Sequence, residues 1–141
     1  QVRELATTAL MGSDLLPAEA ARLRSRQPDA AAPLLLTGQL RPYEWAINGA
    51  AYGRNEPIPV SGGQRLRLTV QNRTMMTHPV HVHGHTVALA RSGLRKDTVL
   101  VRPMESLALD VQADNPGDWM VHCHNAYHAE AGMMIALRYR G

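Results

Sequence analysis

All seven histidines of this chain and its single cysteine fall within two short windows. The first reads His78-Pro79-Val80-His81-Val82-His83-Gly84-His85. The second reads His122-Cys123-His124, then His128, then Gly132-Met133-Met134. Imidazole and thiolate are the donors that borderline and soft transition metals prefer, so this confinement points to metal binding. Satisfied core histidines would account for one or two such residues, not for a set gathered this tightly.

Strand parity sorts these donors into two groups. Side chains i and i+2 of a strand share a face, and i+1 takes the other. The segment from Gly117 to Cys123 reads as a strand, so His122 and His124 share a face and Cys123 points the opposite way. His81 and His83 likewise share a face, and His78 has the opposite parity. Laying the two strands side by side gives one site from His78 and Cys123. The turn after the second strand adds His128 and Met133 to it. The second site collects His81, His83, His122 and His124. Two His, one Cys and a weak axial Met form the ligand set of a blue-copper electron-transfer centre. The neighbouring Met134 is an alternative to Met133 in the axial place.

With these residues in view, the chain resembles the C-terminal copper-binding domain of the multicopper oxidases, the laccase-like enzymes. Their motifs are H-P-x-H-x-H and H-C-H-x-x-x-H-x-x-x-x-M, and every ligand position is filled here. The resemblance extends over roughly residues 34–141, including Trp45-Ala46-Ile47-Asn48-Gly49 and Lys96-Asp97-Thr98-Val99. It implies type 1 copper on His78, Cys123 and His128, with Met133 axial. It also implies type 2 copper on His81 and the type 3 pair on His83, His122 and His124. His85 matches a family position that is not a ligand, so a supporting role is expected for it. Two other metal readings fit less well. A cupin iron site needs a glutamate shortly after His83, and Gly84, His85, Thr86 and Val87 supply none. Structural zinc sites use a different ligand spacing from one cysteine flanked by histidines.

The activity implied by the resemblance is copper-dependent oxidation. Single electrons from a small reducing substrate enter at type 1 copper, with His128 as the expected point of entrance and Cys123 as the link. They pass to the flanking His122 and His124, and a trinuclear copper site reduces dioxygen to water. One departure stands out. The family cluster takes eight histidines in four H-x-H pairs, and only two pairs occur here, His81/His83 and His122/His124. Three explanations stay open. The chain is one domain of a longer enzyme whose N-terminal cupredoxin domain supplies the rest, and is inactive as an isolated monomer. Or it is a single-domain blue-copper carrier or copper-binding protein. Or a second copy of the chain completes the cluster at a homo-oligomer interface.

The rest of the chain bounds these readings. Its 141 residues suit one domain with a modest core. A net charge of +3 with dispersed arginines describes a solvated surface, not a nucleic-acid stripe. No apolar run is long enough for a membrane span. The first residues lack a charged segment followed by an apolar one, so no signal peptide is expected within the chain. Export to the periplasm or outside the cell is implied only by the resemblance. Met75-Met76, just before the first window, offers soft thioethers for cuprous ion, with core packing as the plainer reading.

The positioning elements read as strands. Arg65 to Gln71 and Ser106 to Val111 alternate polar and apolar, the mark of a half-buried strand. Others are expected at 34–39, 44–48, 79–88, 98–102, 117–123 and 133–140. Turn signals such as Gly62-Gly63 and Asn115-Pro116-Gly117 separate them, giving an all-β antiparallel sandwich. The resemblance makes it a Greek-key cupredoxin fold over 34–141. Residues 1–33 read as a lead-in: a short helix over 17–26, with Asp14 before it and Pro17 at its first position, then an Ala/Pro linker from Ala30 to Pro33.

Overall fold

The computed structural model describes residues 15–140. Among the described residues, eleven strands make two packed sheets. In chain order they are β1 (Ala30–Leu40), β2 (Tyr43–Ile47), β3 (Ile58–Ser61), β4 (Arg65–Asn72), β5 (His78–Val82), β6 (Val87–Leu89), β7 (Arg95–Lys96), β8 (Thr98–Val101), β9 (Ser106–Gln112), β10 (Asp118–Cys123) and β11 (Met134–Arg140). One sheet runs β2-β1-β4-β9-β6-β7 and the other β3-β11-β10-β5-β8. This is the all-β cupredoxin-type sandwich that the strand pattern and the resemblance predict.

Alternation along the strands builds the core. Leu66, Leu68 and Val70 of β4 turn inward, as do Val80 and Val82 of β5 and Val121 and Cys123 of β10. They meet Leu34, Leu36, Leu109, Val111, Ile135 and Leu137, all fully buried or nearly so. Each such aliphatic side chain contributes roughly 1.5–3 kcal/mol by leaving water. The ligand-bearing strands are therefore held by the main core rather than by loops.

Several expectations change. The helix over 17–26 reduces to one 3-10 turn, Glu19–Ala21, with no side-chain cap, and Asp14 lies outside the described residues. Isolated helices this short are marginal, and the segment is recruited otherwise. Arg26 binds Asp29 and the Gly63 carbonyl, and Arg65 donates to the Arg24 carbonyl. The stretch read as a linker, Ala30 to Pro33, is already strand: Ala30 to Leu36 pair in register with Leu66 to Asn72. That pairing is parallel, as is β11 with β3, so the sandwich is not wholly antiparallel. Both parallel pairs join strands between which the chain has crossed to the other sheet, so the later strand returns in the same direction.

The strand expected over 79–88 divides into β5 and β6, which lie in different sheets. Gly84 makes the crossing at φ 68°. A Cβ there would come within 2.6 Å of the Trp119 ring. Only glycine takes this left-handed backbone and admits the indole so closely. The turn expected after β10 contains a short helix, α1 (Ala126–Glu130), in which the Asn125 side chain caps the Tyr127 N–H.

Candidate metal centre

β5 and β10 lie side by side with His122 opposite His81, Cys123 opposite Val80 and Val121 opposite Val82. This register realises the parity expected from sequence. His78 and Cys123 turn into the core beside the valines, whereas His81, His83, His122 and His124 emerge on the outer face. His128 comes from α1, whose buried side chain it is.

Inside, three donor atoms form a tight triangle. His78 Nδ1 and His128 Nδ1 are 3.1 Å apart, and Cys123 Sγ lies 3.5 Å from the first and 3.7 Å from the second. A point in their plane lies about 2.0 Å from all three, close to the bond lengths of nitrogen and sulfur to first-row ions. All three residues are buried. Burial, reinforced by the neighbouring His128, brings the His78 pKa down to about 4, and burial lowers that of His128. Both rings are therefore neutral donors at neutral pH. Burial pushes the Cys123 thiol up, so it keeps its proton until a cation displaces it. The donor set fits a soft or borderline metal ion.

Register separates the two methionines. Met134 pairs opposite His122, which places it on the outer face, away from Cys123. Met133 is fully buried, its carbonyl accepting from the Cys123 N–H and its own N–H donating to the His128 carbonyl. His128 lies under protein rather than on an open turn. Its ring is 2% exposed and stacks on Trp45 at a centroid distance of 3.9 Å. Met75 and Met76, by contrast, are exposed and do not pack in the core.

Outside, the imidazoles of His83, His122 and His124 gather around that of His81. The His81 ring centroid is 4.8 Å from that of His83, 5.7 Å from His122 and 5.6 Å from His124. A backbone carbonyl can only accept, which fixes two tautomers. His81 Nδ1 donates to the Asp97 carbonyl and His122 Nδ1 to the Cys123 carbonyl, both at 2.8 Å. Each ring therefore presents a bare Nε2. His83 Nε2 sits 2.9 Å from His122 Nε2. Burial and the three neighbouring rings lower the pKa of His83, again favouring a neutral donor. This face fits metal by donor chemistry, but it is half open to solvent.

His85 belongs to neither group. Its Nδ1 donates to the His83 carbonyl at 2.9 Å, and its Nε2 meets the Tyr139 hydroxyl at 2.8 Å. Motif spacing gave no sign of three further contributors. Trp45 covers His128, the Asp97 carbonyl orients His81, and Thr74 contacts the rear of His78. Thr74 lies four residues before His78 with no pattern to mark it.

Comparisons with known proteins identify the family of the chain. The chain is 44% identical over 126 residues to the multicopper oxidase MmcO of Mycobacterium tuberculosis, covering 86% of this chain and 25% of that protein. It is 38% identical over 117 residues to copper resistance protein A of Escherichia coli, covering 80% of this chain and 19% of the relative. The chain thus spans about a quarter or less of the length of these relatives. Among solved structures, the multicopper oxidase of Campylobacter jejuni, described as a metallo-oxidase, superposes with a TM-score of 0.74. It is 24% identical, with 83% of this chain and 31% of that one covered, a likeness of fold alone. The sequence profile of the multicopper oxidases matches residues 25–140, and the chain belongs to that family.

Proposed function

We propose that His78, Cys123, His128 and Met133 of this domain would hold type 1 copper, and that the domain supplies half of the ligands of a trinuclear copper site. In this laccase-like reading, His81 serves type 2 copper, and His83, His122 and His124 serve the type 3 pair. Copper supplies one-electron storage at the inner site and reduction of dioxygen to water at the outer one, while a small molecule provides the electrons. The observation that carries the reading is the register of β5 against β10. It sets the Cys123 sulfur and the His78 imidazole back to back with the outer histidines.

Cys123 is the link between the two sites. Its Sγ faces the inner triangle, its carbonyl accepts from His122 Nδ1, and its peptide bonds join it to His122 and His124. Three consecutive residues thereby reach both sites. Burial keeps water from the Cys123 sulfur. His128, with Trp45 stacked on its ring, would be the side of the inner site nearest the reducing substrate. The remaining histidines come from a partner, an N-terminal cupredoxin domain of the same enzyme or a second copy of this chain. An isolated monomer is accordingly inactive towards dioxygen. The family resemblance supports a periplasmic or extracellular setting, and among the described residues no helix is long and apolar enough to cross a membrane.

Copper stoichiometry, visible absorption, molecular mass and oxygen uptake on one copper-loaded sample test this. One copper per chain, an intense copper–thiolate band and a monomer without oxygen uptake indicate that a partner domain is needed. Further copper and oxygen uptake confined to an oligomer identify a second copy as the partner. Copper bound without the thiolate band refutes the assignment.

A further inference from the structure

Behind His78, on the side away from Cys123 and His128, lies a closed set of hydrogen bonds. Thr74 Oγ1 is 2.7 Å from His78 Nε2 and 2.9 Å from Asn72 Oδ1. All three side chains are buried: Thr74 is 5% exposed, Asn72 1% and His78 0%. Polar groups withdrawn from water to this extent need defined partners.

The direction of each bond follows atom by atom. Asn72 Nδ2 faces the carbonyl oxygens of Met76, Val101 and Arg102 at 2.7, 3.2 and 2.9 Å. Only an amide nitrogen suits three acceptors, so Oδ1 is the atom that faces Thr74. Oδ1 accepts the Thr74 backbone N–H at 2.9 Å and carries no hydrogen of its own. Its 2.9 Å contact with Thr74 Oγ1 therefore contains the threonine hydroxyl hydrogen. Directing that hydrogen to the Met76 carbonyl, 3.3 Å away, would leave two lone-pair oxygens in close contact. Thr74 has then used its only donor and can only accept from His78. The ring hydrogen of His78 must sit on Nε2, leaving Nδ1, the corner of the metal triangle, as a bare lone pair.

We propose that Thr74, held by Asn72, is a positioning residue of the inner copper centre. It fixes the Nε2–H tautomer of His78 and makes Nδ1 a stronger donor to cupric ion. The two imidazoles of the centre are thereby unequal. Among the described residues His128 Nε2 has no hydrogen-bond partner, and its ring is held by the Trp45 stack instead. A metal-bound histidine whose far N–H is accepted by a fixed oxygen is more basic, and loss of such a partner typically costs about 10–100-fold in metal affinity. A weaker donor also favours cuprous over cupric ion, so losing the bond raises the reduction potential. The proposal rests on the inner-site assignment made above.

The test compares the chain with its Thr74→Val and Thr74→Ser variants, by cupric ion competition titration and by the potential of the copper-loaded centre. Thr74→Val is expected to bind cupric ion about 10–100-fold more weakly, with a higher potential and the thiolate band retained. Thr74→Ser, which keeps the hydroxyl, is expected to return both values towards those of the unaltered chain. Thr74→Ala carries the test should the valine variant fail to fold. A folded variant without the hydroxyl but with unchanged affinity and potential overturns the proposal, as does a serine variant shifted as far as valine. Failure of the underlying assignment looks different: the unaltered chain itself then binds cupric ion without a thiolate band.

Discussion

The two faces of the β5–β10 pair carry the same kind of side chain in opposite surroundings. On the inner face His78 and His128 join Cys123 in a buried triangle, with Trp45 stacked on His128. On the outer face His81, His83, His122 and His124 form an open patch, with His124 exposed. Burial lowers the pKa of both inner imidazoles, and on the outer face lesser burial with neighbouring rings lowers that of His83. An inner site complete within one chain can set its own geometry. An outer site that is half built depends on a second surface, and strand parity alone keeps the two sets of donors apart.

The sharpest way to break this contrast is Cys123→Ser. It should abolish the thiolate absorption completely while leaving copper uptake by the outer histidines. Because Cys123 is buried, the new hydroxyl should also cost about 1–3 kcal/mol of stability, read from denaturant melting of the apo chain. The reverse experiment is His122→Gln. The visible band should remain at near full intensity, and oxygen uptake by the assembled enzyme should fall by at least two orders of magnitude if the outer patch does the oxygen chemistry.

The two faces should also differ in their response to pH. In the apo chain the Cys123 thiol is protonated at neutral pH, since burial raises its pKa, and it must lose that proton to bind metal. Cupric affinity at the inner site should therefore rise about tenfold per pH unit around neutrality, with about one proton released per ion. Calorimetry in buffers of different ionisation heat measures the release. His78, at about 4, adds competition only in acid. The same shift bears on the fold. A histidine whose folded pKa lies below its unfolded value of 6.5 takes up protons preferentially when unfolded. Stability of the apo chain should be fully present above 6.5 and decline as pH falls towards about 4.

A smaller effect is expected at the crossing between the sheets. Gly84→Ala places a side chain at φ 68° and 2.6 Å from the Trp119 ring. A loss of about 1–3 kcal/mol is expected, with the outer histidines disturbed more than the inner triangle because His83 is adjacent. Thermal melting and the retention of the visible band would separate the two.

Much of this was legible in the sequence. Alternation in β4 and β9 gave the sandwich, and the parity of His78 against His81, and of Cys123 against His122, divided the donors before any coordinates. Positions that depend on distant backbone were not legible. The 79–88 strand divides because Trp119, far along the chain, needs the space at Gly84. The helix over 17–26 is lost because Arg24 and Arg26 serve the β4 strand and the Gly62-Gly63 turn. The Ala/Pro stretch pairs with β4 although its composition reads as linker. His128 is covered because β2 brings Trp45 over α1, a contact that no local pattern announces. Thr74 and Asn72 were invisible for a related reason: their role lies in hydrogen-bond direction, which a sequence does not display.

The central claim is that one face of this strand pair holds a complete metal site and the other a partial one. Anomalous X-ray scattering at the copper edge, on crystals of the chain loaded with one equivalent of copper, tests it most directly. The account predicts a single strong copper peak between His78 Nδ1, His128 Nδ1 and Cys123 Sγ, at about 2.0–2.3 Å from each. Copper found first among His81, His83, His122 and His124, with the inner triangle empty, would contradict it.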